Sequence, residues 1–190
     1  MIIPAGGSSS RQKTNKLLVK LGYQTVIEQT IENYIDHAVD IIVITGYERA
    51  IVKQNIVQRF SSRVKIIYNP VYMDGLASSL KTGIGFASDD YDYWGFSLGD
   101  KPFISQFTVT SLLEKLETMK PKILVPVYNK TIGHPNFFST CLTAELAGIS
   151  GDIGGRSIIK KHLNDTLFIP VEDQGVIKDM DAYFEQCMPI

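Results

Sequence analysis

The residues of this chain best suited to chemistry come in short clusters. Residues 4–16 read "PAGGSSSRQKTNK", with glycines at Gly6 and Gly7, a run of serines that includes Ser9, and cations at Arg11, Lys13 and Lys16. Glycines let backbone N–H groups approach phosphate oxygens, and Arg11 and Lys16 neutralise the charge. Neither the GxxxxGK[ST] nor the GxGxxG spacing is present, so composition alone indicates an anion loop or simply a polar one. "SLGDKPFIS" (97–105) ends an apolar run in Gly99 and Asp100. A carboxylate there suits a divalent metal carrying phosphates, although Asp–Lys–Pro is also an ordinary turn. In "VIKDMDAYFE" (176–185), Asp179 and Asp181 either cap the last helix or bring a second carboxylate to that metal, and spacing leaves both open. Gly75, Ser78 and Ser79 in "DGLASSLKTG" sit at a helix start, where free N–H groups and hydroxyls hold a base or phosphate unless they merely cap the helix. His134 in "GHPNFFS" is expected to be extended by the proline that follows it. Gly154, Gly155 and Arg156 in "SGDIGGRSII" open another helix, again an anion site or an ordinary helix start.

Elements must position these clusters. Residues 1–3, 40–45, 64–68, 93–98, 122–127 and 166–171 are short apolar runs rich in β-branched and aromatic residues, and predict strands. Between them, 25–38 carries an apolar stripe (Val26, Ile27, Ile31, Tyr34, Ile35, Ala38) behind an N-cap at Thr25. Residues 48–60 place Ile51, Val52, Ile56, Val57 and Phe60 likewise, and 105–119 place Val109, Leu112, Leu113 and Leu116 behind Ser105. Further helices are expected near 76–87, 139–147, 155–163 and 179–187. Alternation of strand and helix predicts a three-layer α/β fold, a mostly parallel twisted sheet with helices on both faces, Rossmann-like in plan. Without a repeat or linker, 1–190 reads as one domain. Ligands of such sheets gather at the carboxyl ends of the strands, where most of the clusters fall.

Bulk properties narrow the partners. With 190 residues and a net charge of −1, the chain lacks the basic excess of a nucleic-acid or membrane-surface binder. Its two cysteines, Cys141 and Cys187, form no CxxC pattern, which points to a reducing cytoplasm and away from zinc or a disulfide framework. No secretory leader is read before Pro4, and no apolar stretch approaches the roughly 18 residues of a membrane span.

Taken in order, these segments resemble the nucleotidyltransferases of the molybdenum-cofactor branch. The signature LA(A/G)GxSxRMGxxK is matched at Ala5, Gly6, Gly7, Ser9, Arg11 and Lys16, and "GLASSLKTG", "GDKP", "GHPNFF" and "GDIGGRSII" are similar to the cytidylyltransferase side of that family. The resemblance spans nearly the whole chain. It implies a nucleotidyltransferase fold and a nucleotide held over 4–16, with Pro4, Ala5, Gly6, Gly7, Ser9, Arg11, Lys16, Gly75, Ser78 and Ser79 as the binding set. Arg11, Lys16 and Asp100 are the implied catalytic residues. Mg²⁺ would be held by Asp100 and Asp181, with Asp179 as the alternative. The acceptor would be the phosphate of a molybdopterin, near His134, Gly154, Gly155 and Arg156. CTP is the favoured nucleotide, GTP the other, and a molybdenum hydroxylase apoenzyme is an implied recipient of the product. The chain departs from the pattern at Gln12 and Lys13, where the family has Met and Gly, and at Ala182–Glu185, where it has TPED. Gly6 follows the guanylyl pattern and removes a methyl where a base could sit. Two further functions fit the sequence: a non-catalytic carrier of the cofactor for hydroxylase maturation, and nucleotidyl transfer to a sugar or alcohol phosphate.

Overall fold

In the computed structural model the chain is described over residues 1–7, 15–37, 40–87 and 90–187. In chain order the elements are β1 (Ile2–Ala5), a small antiparallel pair β2 (Lys20–Leu21) and β3 (Gln24–Thr25), α1 (Val26–Ile35), β4 (Ile41–Thr45), α2 (Arg49–Phe60), β5 (Val64–Tyr68), α3 (Leu76–Gly85), β6 (Tyr93–Phe96), α4 (Gln106–Met119), β7 (Ile123–Tyr128), β8 (Thr131–Ile132), β9 (Asn136–Ser139), α5 (Thr143–Ala147), α6 (Arg156–Lys161), β10 (Thr166–Pro170) and α7 (Met180–Cys187). The main sheet has eight strands in the order β10-β7-β9-β6-β1-β4-β5, with β8 paired to β7. All pairings are parallel except those of β9 with its two neighbours and of β8 with β7.

The sheet is covered on both faces, which is why its central strands read as unbroken apolar runs: every residue of β4 is buried. Alternation along β1 sends Ile3 to one face and Ile2 to the other. Ile3 joins Ile27, Ile31, Val52, Ile56 and Val109 beneath α1, α2 and α4. Ile2 joins Leu80, Phe96, Phe138, Leu146 and Ile158 beneath α3, α5 and α6.

The start of α1 is set as its sequence predicts. Glu28 accepts the Thr25 N–H at 2.6 Å while Thr25 Oγ1 accepts the Glu28 N–H at 3.4 Å, a reciprocal cap. In α2 the stripe is narrower than predicted. Val52, Ile56 and Phe60 are buried, but Ile51 and Val57 stand 49% and 44% exposed, because α2 covers the β4–β5 edge of the sheet, where one row of side chains reaches the core. The helix expected near 139–147 begins only at Thr143; Ser139 closes strand β9 and a single 3₁₀ turn intervenes. No described helix is long and apolar enough to cross a membrane.

Candidate active site

The site forms where β6 ends. Its backbone leaves the sheet through Ser97, Gly99, Asp100 and Pro102, and α1 holds that turn from one side. The fully buried Tyr34 donates its hydroxyl to Ser97 Oγ at 2.9 Å, and burial pushes its pKa up. Buried Asn33 donates to Pro102 O at 3.1 Å. The Thr30 hydroxyl lies 2.9 Å from both Gly99 O and the Val26 O of its own helix, so its one proton is shared. From the other side, the Gly99 N–H donates to Pro4 O at 3.0 Å, and a Cβ at Gly99 would stand 2.9 Å from that oxygen. Glycine is needed there for the close approach of β1 to the turn.

The segment before α7 packs onto this turn. Asp173 accepts the Ser105 N–H and Thr108 hydroxyl, both at 2.8 Å, so the start of α4 is tied to it. The Met180 N–H donates to Asp100 O at 3.2 Å. Lys101, only 5% exposed, donates to Ile177 O at 2.7 Å and stands 4.0 Å from Asp179. Burial lowers its pKa against the pull of Asp179 and Asp100. The two aspartates of the last helix are thereby separated in role. Asp179 Oδ1 accepts the Ala182 N–H at 2.9 Å at the start of α7. Asp181 instead reaches Lys16.

Lys16 is fixed by its neighbours: Asn15 Oδ1 accepts the Leu17 N–H at 3.1 Å, and Leu17 is buried in the core. Its Nζ lies 2.6 Å from Asp100 Oδ2 and 3.0 Å from Asp181 Oδ2. Partial burial opposes the charge, but the two carboxylates outweigh it and the pKa is raised. Residues 8–14, with Ser9, Arg11, Gln12 and Lys13, lie outside the described residues.

The remaining loop residues fall as follows. Pro4 and Ala5 lie in β1. A Cβ on Gly7 would meet nothing within 4 Å, whereas one on Gly6 would stand 3.0 Å from Gly46 N. The methyl absent at position 6 therefore points at the turn after β4. Gly75 precedes α3, but the Leu76 N–H there is already bound by Asp152 Oδ1 at 3.0 Å. Ser78 and Ser79 are buried, and their hydroxyls accept from Asn69 Nδ2 at 2.8 and 3.2 Å. Gly155 abuts Phe138 and Gly154 abuts Leu76, while Arg156 is exposed at the start of α6.

His134 is partly buried, its peptide to Pro135 is cis, and its N–H donates to Val176 O at 2.8 Å. Its Nδ1 lies 3.4 Å from Phe96 O and 3.3 Å from Asn136 Nδ2. Burial, then the positive charge of Lys101, with Arg156 adding, pushes the imidazole pKa from 6.5 to about 4, although Phe96 O opposes. The folded state thus disfavours the imidazolium. Above the ordinary 6.5 both states are neutral and the contribution to stability is complete; as pH falls from about 6.5 to about 4 the unfolded chain takes up the proton first and stability drops. Urea midpoints between pH 7.5 and 4 should show this loss, and His134→Gln should flatten it; parallel pH profiles for the two proteins would remove the assignment.

Of the residues singled out in the sequence, the fold thus brings together Lys16, Asp100 and Asp181, with Asp179 one contact away through Lys101, and sets Arg156 in electrostatic range of His134 and Lys101. Gly75, Ser78 and Ser79 form a separate cluster whose polar groups bond internally. Sequence reasoning did not single out Lys101, Thr30 or Asn33. A signal for the last two was present: polar residues at i and i+3 inside the apolar stripe of α1.

A mostly parallel sheet with a glycine pair directly after its first strand, and a lysine and two aspartates meeting at the carboxyl end, has the plan of the nucleotidyltransferase fold. The chain belongs to the family of the MobA-like NTP transferase domain, whose model matches residues 1–166. Among curated proteins it is 24% identical over 183 residues to molybdenum cofactor cytidylyltransferase of Escherichia coli (strain K12), covering 95% of this chain and 90% of that one. It is 28% identical over 130 residues to a probable molybdenum cofactor guanylyltransferase of Natranaerobius thermophilus, covering 66% and 58%. Among solved structures, Rv0371c from Mycobacterium tuberculosis H37Rv superposes with a TM-score of 0.82 at 22% identity, over 98% of this chain and 93% of that one.

Proposed function

We propose that residues 1–190 form one nucleotidyltransferase domain that moves CMP from CTP to the phosphate of a molybdopterin-type acceptor. An acceptor phosphate oxygen bonds to the α-phosphorus, the bond from that phosphorus to the β-phosphate oxygen breaks, and pyrophosphate leaves. The observation that carries this reading is the meeting of Lys16 with Asp100 and Asp181 at the carboxyl end of β6. Such a transfer needs charge neutralisation and in-line placement more than a strong base. Lys16 supplies positive charge to the triphosphate, and Arg11 is assigned the same task from its place in the motif. Gly6 and Gly7 would offer backbone N–H groups to the phosphates, and the neutral His134 and exposed Arg156 would face the acceptor.

The donor set also fits Mg²⁺. Both carboxylates already touch a single cationic atom, and two carboxylates completed by water and substrate phosphate is how this ion is usually held. Held by Asp100 and Asp181, Mg²⁺ would supply positive charge to the phosphate oxygens. CTP is favoured over GTP because the cytidylyltransferase relative matches nearly the whole chain and the guanylyltransferase two thirds of it. A molybdenum hydroxylase apoenzyme would receive the product.

Thermal-shift measurements with each of the four NTPs and Mg²⁺ test the nucleotide. A hundredfold excess over Kd is worth ~2.7 kcal/mol, about 5–10 °C for a chain of this size. CTP should give that shift and the others much less. With CTP, Mg²⁺ and the pterin, pyrophosphate should be released. Pterin binding without pyrophosphate would instead mark a carrier, and release only with a sugar or alcohol phosphate would move the acceptor.

A further inference from the structure

The ion pairs present in the site are incompatible with the roles proposed for their members. Lys16 is to neutralise the triphosphate, and Asp100 with Asp181 is to hold the metal, yet the lysine ammonium sits between those two carboxylates at 2.6 and 3.0 Å. One cation fits between them at a time. Nor does Lys101 offer an alternative occupant: it is 5% exposed and bonded to Ile177 O, whereas the Lys16 side chain retains 21% exposure on a flexible four-carbon stem.

We infer that Lys16 is an exchangeable occupant of the divalent-metal site: it neutralises Asp100 and Asp181 in the nucleotide-free protein and gives them up when metal and nucleotide arrive together. This rests on the assignment of the two aspartates to the metal made above. The exchange leaves no charge unpaired, because the ammonium moves to phosphate oxygens as the metal takes the carboxylates. A metal arriving alone must instead drive the ammonium off both carboxylates without providing it another anion, or bind beside it against repulsion. The site therefore takes metal poorly without nucleotide. Metal and nucleotide favour each other's binding by one coupling factor, equal in both directions, and Lys16 is the residue that carries it.

Mn²⁺ binding followed by electron paramagnetic resonance, without nucleotide, tests this directly. Lys16→Met keeps the stem and removes the charge, and should bind Mn²⁺ at least about tenfold more tightly than the parent, equivalent to about 1.4 kcal/mol. Mn²⁺ should also raise the melting temperature of this variant more than that of the parent. With a non-hydrolysable CTP analogue the parent should gain Mn²⁺ affinity strongly, and the variant much less. Equal or weaker Mn²⁺ binding by the folded Lys16→Met protein overturns the inference; Lys16→Gln repeats the measurement should the methionine variant not fold. Asp100→Asn in the Lys16→Met background separates this from the underlying assignment. If the tighter Mn²⁺ binding survives that change, the metal lies elsewhere and the proposed metal site fails with it. If Asp100→Asn abolishes metal–nucleotide binding in the parent while Lys16→Met gains nothing, the metal site stands and the exchange alone is wrong.

Discussion

Asp100→Asn should lower the rate of nucleotidyl transfer about a thousandfold, or ~4 kcal/mol of transition-state stabilisation. The substitution keeps the shape of the side chain and removes its charge. Asp100 is held at the end of β6 by a turn fixed through its neighbours, and its side chain is only 14% exposed, so the carboxylate works where water screens it little. Asparagine retains an oxygen that can face a metal, but not the charge that competes for it. The loss should therefore fall on kcat, with the acceptor KM nearly unchanged, because the charge it helps to neutralise develops as pyrophosphate leaves. Asp181→Asn should follow the same pattern. Asp179→Ala should not: its carboxylate accepts the Ala182 N–H at the start of α7, so its removal costs about 1 kcal/mol of stability and leaves most of the rate. Measuring the three variants under saturating CTP and Mg²⁺ separates the two aspartates. A rate for Asp100→Asn within threefold of the parent would sink the metal assignment.

The contrast between Asp179 and Asp181 shows where the sequence stops being informative. Two carboxylates ahead of a helix are visible in the string "DMD", and both a cap and a ligand are reasonable uses of them. What distinguishes the two in the structure is the approach of Lys16 to Asp181, 165 positions away, and no local pattern encodes that meeting. The strands behave differently. Six of them are legible because short apolar runs rich in β-branched and aromatic residues are a local signal, strongest in β4, which is buried throughout. Strand β9 is hidden because "NFFS" is four residues long, follows a proline and runs antiparallel between β6 and β7; its identity comes from the partners it finds. Gly6 is a third case. As sequence it concerned the nucleotide base, yet the missing methyl would point at Gly46 N, and the glycine is explained by the packing of two turns. The clamp of α1 on the Asp100 turn was half legible, since Thr30 and Asn33 are polar residues on a face that is otherwise core.

That clamp makes a prediction distinct from simple loss of stability. Asn33→Leu removes the donor to Pro102 O, and Tyr34→Phe removes the hydroxyl partner of Ser97, so each leaves a buried polar group unsatisfied at a cost of about 1–3 kcal/mol. Ser97 and Pro102 flank Asp100 on its two sides. Slack at either end lets the carboxylate drift, and a misplacement of about 1 Å is worth up to about a hundredfold in rate. Both variants should lose roughly tenfold or more in kcat at a temperature where they are fully folded, and should need more Mg²⁺ for half-maximal rate. Ile56→Val provides the comparison: it costs about 0.5–1.5 kcal/mol in the core beneath α2, has no hydrogen bond to the turn, and should leave the Mg²⁺ requirement where it was. A shift in metal requirement that appears equally in Ile56→Val would mean that α1 merely stabilises the fold. A shift confined to Asn33→Leu and Tyr34→Phe identifies both as positioning residues that act through Asp100.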